Sequence, residues 1–379
     1  MRAIADLDLS LATHTALEFG VGVIDRLPEA VLRLGAGEAF VVTDPGLRAA
    51  GVVDRVSELL CSAGITATVY DRVRANPTTA VVDEAAAVVR RLDSPVVVGL
   101  GGGSALDAAK AVALLATNAG TARSYADGAA KIQPGLPVVA VPTTAGTGAE
   151  TNGFAVVEDS GRRRKVYLGD ESVRPRASVL DPGLTVGVPQ MVTAATGMDA
   201  LTHGIESLAS RGCNPMSASY ATEAVRLVGA NLARAVHDGA DVEARAAMLL
   251  GSHLAGLALS ISGLGLVHGI AHAVTNHTGA AHGLALAAVL DKVMEWSAQT
   301  VADAYQRVAE ALGVPSDDVV DAVRRLGNDV GARLPLRELG VSRALVPTIA
   351  TGALADPVSR NHPSTMTVAE VEAILEVAW

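Results

Sequence analysis

The chain has 379 residues, a length typical of two domains, and half of them are apolar, which excludes a disordered protein. Lys and Arg number 30 against 40 Asp and Glu, and aromatic residues make up 3%. A nucleic-acid binder needs a cationic face and stacking rings, so this composition argues against one.

The cysteine content and the first twenty residues indicate in which cellular compartment the protein is expected. The two cysteines, Cys61 and Cys213, are too few for a disulfide framework or a cysteine-based zinc site. The N-terminal residues carry early acids and lack the apolar stretch of a signal peptide. We therefore expect a soluble cytoplasmic protein.

Strand and helix patterns alternate through the first half of the chain. The first three of its short apolar or β-branched runs precede segments with helical spacing. The predicted strands are 39–42, 66–70, 95–100 and 137–141, and the predicted helices are 47–63, 79–92 and 105–116. This alternation predicts a parallel sheet with helices on both faces.

After about residue 186 the strand patterns stop, and Ala and Leu recur at helical spacing. The predicted helices are 190–210, 215–238, 242–259, 284–312, 316–326 and 368–378. Gly327 suits the C-terminal end of the fifth of these helices. The sequence thus predicts an α/β, Rossmann-like nucleotide-binding domain over residues 1–186 and an all-helical domain over 187–379.

The stretch 246–290 contains no Asp, Glu, Lys or Arg and is long enough to cross a bilayer. It is interrupted by Gly and Ser, contains five histidines, and lacks the flanking cations and aromatic belt of a membrane helix. Helices buried on all sides in a soluble domain are also apolar all round. The pattern therefore favours buried helices, and we expect no membrane partner.

Glycines follow the third predicted strand, in the run Gly101-Gly102-Gly103-Ser104. Glycine lets the backbone approach a ligand closely, and the following helix offers its first N–H groups to an anion. Ser104 suits the N-cap, with Asp107 three residues later as in a capping box. The pattern favours a phosphate site over a plain turn, although it is neither a P-loop nor a GxGxxG motif.

Two other polar segments follow predicted strands. The loop 142–148, PTTAGTG, is either a polar turn or part of the ligand site that open α/β sheets form at strand ends. Asp44 ends the first predicted strand, where an acid can bind an adenosine ribose. It lies about sixty residues before the glycines, whereas the usual fingerprint places the acid about twenty residues after them. A turn-forming Asp before Pro45-Gly46 explains it equally well.

Carboxylate and imidazole groups cluster in the second half of the chain. Asp199 and His203 are four residues apart, as are His268 and His272, so each pair shares one helix face. The later histidines of this region are His277 and His282. Burying unpaired imidazoles costs stability. The pattern therefore favours a divalent-metal site, suited to Fe²⁺, Zn²⁺, Mn²⁺ or Ni²⁺, over hydrogen-bonded core histidines.

These motifs, taken in order, resemble those of the iron-containing (type III) alcohol dehydrogenases. The matching segments are FGVG (19–22), VTD (42–44), GGGSALDAAK (101–110), PTTAGTGAE (142–150), LDP (180–182), GMDALTHGIES (197–207), GLVHGIAH (265–272) and AHG (281–283). They are spread over essentially the whole chain. The resemblance implies two domains with the cofactor and the metal in the cleft between them.

The resemblance also assigns roles to individual residues. The implied metal ligands are Asp199, His203, His268 and His282. His272 is placed beside nicotinamide and substrate instead of on the metal, and His277 receives no role. The implied pyrophosphate site is Gly101, Gly102, Gly103 and Ser104, to which we add Asp107. The implied ribose and nicotinamide contacts are Asp44, Thr143, Thr144, Thr147, Lys165 and Leu180.

The expected function is NAD-dependent oxidation of a small alcohol or reduction of an aldehyde. An Fe²⁺-type metal polarises the substrate oxygen, and His272 relays a proton. NADP is disfavoured because its 2′-phosphate would face Asp44. Members of the resembled family are usually dimers or larger, so we expect a homo-oligomer.

Other functions fit parts of the pattern. Within the superfamily, the alternatives are a glycerol dehydrogenase-like enzyme, a maleylacetate reductase-like enzyme and a dehydroquinate synthase-like lyase. The spacing of residues 268, 272 and 282 disfavours the lyase. A zinc hydrolase would leave the Gly and Thr loops unexplained. A non-catalytic nucleotide-binding regulator is the remaining alternative.

Overall fold

The computed structural model describes residues 15–161 and 164–379. Residues 1–14, on which most of the signal-peptide argument rests, lie outside this range. The described chain divides into a sheet unit (15–144 and 149–185) and a helical unit (145–148 and 186–379). The expected fold class, a parallel-sheet α/β part followed by a helical part, is confirmed.

The sheet unit is built on parallel strands in the order β1–β8–β5–β4–β2–β3. Strands β4 and β5 are buried along their whole length, as expected for parallel strands covered on both faces. Strands β6 and β7 form a separate antiparallel hairpin. The bounds are β1 Ala16–Phe19, β2 Glu38–Val42, β3 Thr66–Tyr70, β4 Val96–Gly101, β5 Val138–Pro142, β6 Phe154–Asp159, β7 Arg164–Gly169 and β8 Ala177–Leu180.

Helices cover both faces of this sheet, because successive strand residues point to opposite sides. Phe40 belongs to one buried cluster with Val112, whereas the next residue, Val41, belongs to another with Leu27. The helices are α1 Leu27–Leu32, α2 Pro45–Ala49, α3 Val52–Ser62, α4 Thr79–Val89, α5 Gly103–Thr117 and α6 Ala122–Tyr125. The 3₁₀ turns of the unit are Val23–Arg26, Ala126–Gly128, Ala149–Thr151, Glu171–Val173 and Pro182–Thr185.

One predicted helix of the sheet unit is interrupted in the structure. The predicted helix 47–63 is two helices, α2 and α3, separated by Gly51. Gly51 adopts φ 77°, a left-handed conformation that glycine reaches without steric cost. The periodicity of apolar residues continues across the break, so spacing alone did not reveal it.

The helical unit buries one large apolar cluster shared by its helices. Its helices are α7 Gln190–Ala209, α8 Pro215–His237, α9 Val242–Ser262, α10 Leu266–Thr278, α11 His282–Ser297, α12 Ala302–Leu312, α13 Val319–Asp329, α14 Val346–Ala355 and α15 Val368–Ala378. Its 3₁₀ turns are Ser316–Asp318, Leu336–Leu339, Arg343–Leu345 and Pro357–Asn361. The predicted helix 284–312 is thus two helices, α11 and α12.

The end of α13 and the apolar helix α9 bear on two further predictions for this unit. Gly327 lies inside α13, and the residue with positive φ after that helix is Gly331, so the prediction of a helix end at Gly327 is wrong. Among the described residues, α9 alone is long and apolar enough to span a membrane. Of its most apolar window, 61% is buried within the structure, as in the core helix of a globular protein.

Lys110, on α5, connects that helix to the β6–β7 hairpin. The side chain is 1% exposed, and its Nζ donates to Ala149 O at 2.8 Å and to Asn152 Oδ1 at 3.0 Å. Nζ also donates to Phe154 O and forms an ion pair with Asp107 at 3.0 Å. The buried ammonium group therefore fixes the start of the hairpin against the sheet.

We expect Lys110→Met to destabilise the sheet unit by about 3 kcal/mol, because it leaves buried oxygen atoms without their donor. Thermal unfolding followed by circular dichroism would show a lower midpoint. Lys131→Met, at an exposed position, is the control and should unfold as the wild type does. Equal midpoints for the two variants would show that Lys110 does not hold the hairpin.

Candidate metal centre and cofactor loops

Three helices of the helical unit bring the predicted metal ligands together. Asp199 and His203 lie one turn apart on α7, and His203 Nε2 is 3.3 Å from Asp199 Oδ1. His268 lies in the first turn of α10, and His282 is the first residue of α11. Side chains from separate helices therefore meet at one point.

The ligand atoms of Asp199, His268 and His282 all lie within 4.8 Å of one another. His203 is not part of this group of three, but its ring stacks on that of His268 with centroids 4.6 Å apart. The structure thus places all four residues in one cluster. His272 lies beside them, its ring stacked on His282 at 5.1 Å.

Two atoms of this cluster indicate that it suits a cation. Asp199 Oδ1 and His268 Nε2 are buried and, among the described residues, lack a hydrogen-bond partner, although they lie 3.5 Å apart. Buried polar atoms left unpaired are costly, and a carboxylate with imidazoles is a common ligand set for divalent transition metals. The residues therefore fit a divalent metal.

The second ring nitrogen of two of these histidines contacts an acceptor. His203 Nδ1 lies 3.1 Å from Gly146 O, and His268 Nδ1 lies 2.6 Å from Glu206 Oε2. A carbonyl or a carboxylate can only accept, so each Nδ1 carries the proton. The Nε2 atom of each ring then faces Asp199, which is the position that metal ligation requires.

The protonation of the cluster follows from burial and from neighbouring charge. Burial raises the pKa of Asp199, but the nearby His203, His268 and His282 outweigh it and hold the pKa below its usual range. Burial lowers the pKa of His203 to about 4, despite Asp199. Burial also opposes charge on His268, but Asp199 and Glu206 raise its pKa to about 9. A metal that binds His268 through Nε2 would have to displace the proton on that nitrogen.

His272 is held by a carboxylate on another segment. Its Nδ1 lies 2.8 Å from Oδ2 of Asp356, whose Oδ1 accepts from the Val358 N–H at 3.1 Å. Burial raises the pKa of Asp356, but the hydrogen bond from His272 and the backbone bond outweigh it, so the net pKa is lowered. By contrast, His277 is exposed in the last turn of α10.

In the sheet unit, Asp44 and Gly101 lie close together at the point where the strand order reverses. The chain continues from β2 to β3 on one side and from β4 to β5 on the other. Such a switch point is where open α/β sheets bind ligands. A Cβ atom at Gly101 would lie 3.3 Å from Asp44 Oδ2, so the fold brings these two distant positions together.

The glycine loop packs closely against α5 and against the segment that follows β5. Gly101 has φ 146°, and a Cβ atom there would lie 2.7 Å from Ala105 Cβ. A Cβ atom at Gly102 would lie 3.2 Å from Thr144 Oγ1. The Thr143 N–H donates to Gly101 O at 3.0 Å. The Gly loop and the first Thr residues after β5 therefore form one continuous surface.

Comparison with known proteins shows the family. Residues 15–182 match the family described as iron-containing alcohol dehydrogenase, and residues 193–379 match the C-terminal part of the Fe-containing alcohol dehydrogenase family. The chain belongs to the iron-containing alcohol dehydrogenases. The resemblance seen in the sequence is confirmed, and the protein is an alcohol or aldehyde oxidoreductase of this family.

Individual relatives cover nearly the whole chain. It is 32% identical over 368 residues to the NAD-dependent methanol dehydrogenase of Bacillus methanolicus, covering 95% of this chain and 97% of the relative. It resembles the crystal structure of a 1,3-propanediol oxidoreductase with a TM-score of 0.92 and 34% identity, over 96% and 98% of the two chains. It also resembles the sulfoacetaldehyde reductase from Bifidobacterium kashiwanohense, solved in complex with NAD⁺ (TM-score 0.91, 28% identity, 98% and 99% covered).

Two local predictions about the Gly loop are wrong. The N-cap of α5 is Gly102, and Ser104 lies within the helix, where its Oγ accepts from the Asn76 N–H at 3.3 Å. Asp107 is therefore not part of a capping box. Its carboxylate pairs with Lys110 and accepts from the Val156 N–H at 3.2 Å, which holds the β6–β7 hairpin. The glycine run lets the helix begin two residues earlier than an N-cap at Ser104 would place it.

The remaining cofactor residues lie at the positions that follow. Lys165 is on β7, opposite Glu158 of β6, and Leu180 is the buried last residue of β8. Asp44 is the N-cap of α2, and its Oδ1 accepts from the N–H groups of residues 46 and 47 at 2.8 and 3.1 Å. Thr147 lies in the 145–148 segment of the helical unit. The turn role of Asp44 is thus present, and its ribose role stays a prediction.

Sequence reasoning did not select Glu206 and Asp356. Glu206 had a detectable signal, because it lies three residues after His203 and seven after Asp199, on the same face of α7. No such sequence signal pointed to Asp356, because it is separated from His272 by 84 residues and follows a helix that was not predicted.

We expect Gly101→Ala to destabilise the sheet unit by about 1 to 3 kcal/mol, since alanine is strained at this φ and its Cβ would meet Ala105. The midpoint of thermal unfolding measures the effect. Gly37→Ala is the matched control, because that position has neither a positive φ nor a neighbour within 4 Å. Two variants of equal stability would show that the loop has room for a side chain.

Proposed function

We propose that this protein is an NAD-dependent alcohol dehydrogenase or aldehyde reductase that uses a divalent metal of the Fe²⁺ type. The observation that carries the proposal is the group formed by buried Asp199 and His268 with half-buried His282, with His203 stacked on His268. When bound there, the metal acts as a Lewis acid on the alcohol or carbonyl oxygen of the substrate. Zn²⁺, Mn²⁺ and Ni²⁺ suit the same ligands.

The residues around this group have separate tasks. Asp199 and the Nε2 atoms of His203 and His268 would hold the metal. The Nδ1 atoms of the two histidines are already hydrogen-bonded, to Gly146 O and to Glu206 respectively. His272 takes up the proton of the substrate hydroxyl at Nε2, because its Nδ1 already donates to Asp356. An imidazole suits this relay because it titrates near neutral pH.

The cofactor binds at the switch point of the sheet in this proposal. The glycine loop lets the pyrophosphate approach the backbone at the N-terminus of α5, a helix of 15 residues. Asp44 Oδ2, beside Gly101, accepts from the ribose hydroxyls of NAD while Oδ1 caps α2. The methanol dehydrogenase relative is named NAD-dependent, and the sulfoacetaldehyde reductase was solved with NAD⁺.

The substrate class in this proposal is a small alcohol or aldehyde, which is the class named for the relatives that act on methanol, 1,3-propanediol and sulfoacetaldehyde. We also propose a cytoplasmic homo-oligomer. Absorbance of NADH with a panel of neutral and acidic aldehydes tests the activity and the class together. The absence of any turnover with metal-loaded protein would contradict the proposal.

Alanine variants separate the metal ligands from the proton relay. We expect His268→Ala to lose bound metal and turnover together, because it removes a ligand. We expect His272→Ala to keep its metal content and to lose roughly a hundredfold in kcat, since general acid–base catalysis contributes on this order. Elemental analysis and steady-state kinetics on the same preparations measure both quantities.

His277→Ala is the control for this pair, because His277 is exposed on the same helix. It should match the wild type in metal content and in kcat. Loss of metal in His272→Ala as large as that in His268→Ala would instead make His272 a ligand. Full activity of a metal-free preparation would refute the metal site.

Asp44 should make the enzyme prefer NAD to NADP by at least roughly tenfold in kcat/KM, because a carboxylate facing the 2′-phosphate is a like-charge contact. Asp44→Asn keeps an oxygen to cap α2 and removes the charge, so it should reduce the preference for NAD over NADP. Asp93→Asn, at an exposed position, should leave it unchanged. Wild-type activity that is equal with both cofactors would leave Asp44 as a helix cap only.

A further inference from the structure

Glu206 is a buried carboxylate whose two oxygens bind one helix at two places. It lies on α7, with Asp199 and His203. Its Oε2 contacts His268 Nδ1 at 2.6 Å, and its Oε1 accepts from the Val267 N–H at 2.7 Å. Both of these partners belong to the first turn of α10. The one side chain thus joins two helices that carry metal ligands.

The first turn of α10 needs an acceptor from elsewhere. Helices leave their first N–H groups without internal partners, and the N-cap side chain usually accepts from them. The N-cap of α10 is Gly265, which has no side chain. Glu206 supplies the acceptor from α7, and its negative charge is favourable near a helix N-terminus.

Gly265 leaves the space that the carboxylate occupies. A Cβ atom at this position would lie 2.8 Å from Glu206 Oε1, closer than a Cβ atom approaches another heavy atom without a shift. Its φ of −134° is accessible to any residue, so the backbone conformation does not require glycine. The close approach of Glu206 is the physical reason for glycine at this N-cap.

We propose that Glu206 is a positioning residue of the metal centre, which sets both the first turn of α10 and the ring of His268 relative to Asp199. The proposal rests on the metal site of the proposed function. With Nδ1 donating to Glu206, the His268 ring presents Nε2 to Asp199 Oδ1 at 3.5 Å. Changes to such outer partners of a ligand typically cost ten- to a hundredfold in metal affinity.

Glu206→Gln is the informative substitution because it keeps shape and changes hydrogen bonding. The amide oxygen still accepts from the Val267 N–H, but the amide NH₂ then faces His268 Nδ1 as a second donor. The ring must give up the bond or move its proton to Nε2, the atom needed for the metal. We expect Zn²⁺ affinity to fall at least roughly tenfold, with the fold retained.

Gly265→Ala tests the same idea without altering any hydrogen-bonding side chain. The added methyl group displaces the Glu206 carboxylate, so Zn²⁺ affinity should fall here too. Gly352→Ala on α14 is its control, because a Cβ atom there makes an ordinary 3.5 Å contact with Ala273 of α10. Glu338→Gln, an exposed acid of the helical unit, is the control for Glu206→Gln.

The measurement is competition for Zn²⁺ between a chromogenic chelator and the full-length, metal-stripped protein, with circular dichroism to verify the fold. Weaker binding in Glu206→Gln and Gly265→Ala, with both controls unchanged, supports the proposal. Folded variants that bind Zn²⁺ within about twofold of the wild type overturn it. If Glu206→Gln does not fold, Gly265→Ala decides alone. A wild type that binds no Zn²⁺ refutes the proposed metal site itself, which is a different outcome.

Discussion

The burial of one carboxylate among several imidazoles is the constraint on which the helical unit depends. Asp199 and His268 meet inside a cluster of apolar helices, where unpaired polar atoms are costly. That cost can be offset by a cation, or by protons shared between the groups. In an ordinary apolar core these contacts would destabilise the fold. Here they suit a metal-ligand set, because α7, α10 and α11 direct these polar residues to one point.

Orientation of the rings is as important as their number. An imidazole binds a metal only through a nitrogen that carries no proton, and the acceptor at the other nitrogen decides which one that is. Gly146 O acts on His203, Glu206 on His268 and Asp356 on His272. These acceptors come from a loop, a neighbouring helix and a distant segment, so the chemistry of the site depends on the tertiary structure.

Sequence reasoning recovered what depends on local spacing. It predicted β2, β4 and β5 within one residue at each end, and the spacing of Asp199 and His203 placed them on one helix face. It did not predict β1 and β8, because four-residue strands carry little periodicity. It could not connect Asp44 with Gly101 by spacing, since strand order in the sheet brings them together.

Three carboxylates of this fold are held in the same way, through one oxygen at the start of a helix or 3₁₀ turn. Asp44 caps α2, Asp356 caps the 3₁₀ turn Pro357–Asn361, and Glu206 accepts from the first turn of α10. In each case the other oxygen is directed elsewhere: beside Gly101, or onto a ring nitrogen of His272 or His268. Backbone N–H groups at the start of a helix or turn fix the orientation of such a carboxylate. The second oxygen of each carboxylate is thereby a rigid acceptor. Only the tertiary structure shows what it faces, because Glu206 lies within α7 and Asp356 is separated from His272 by 84 residues.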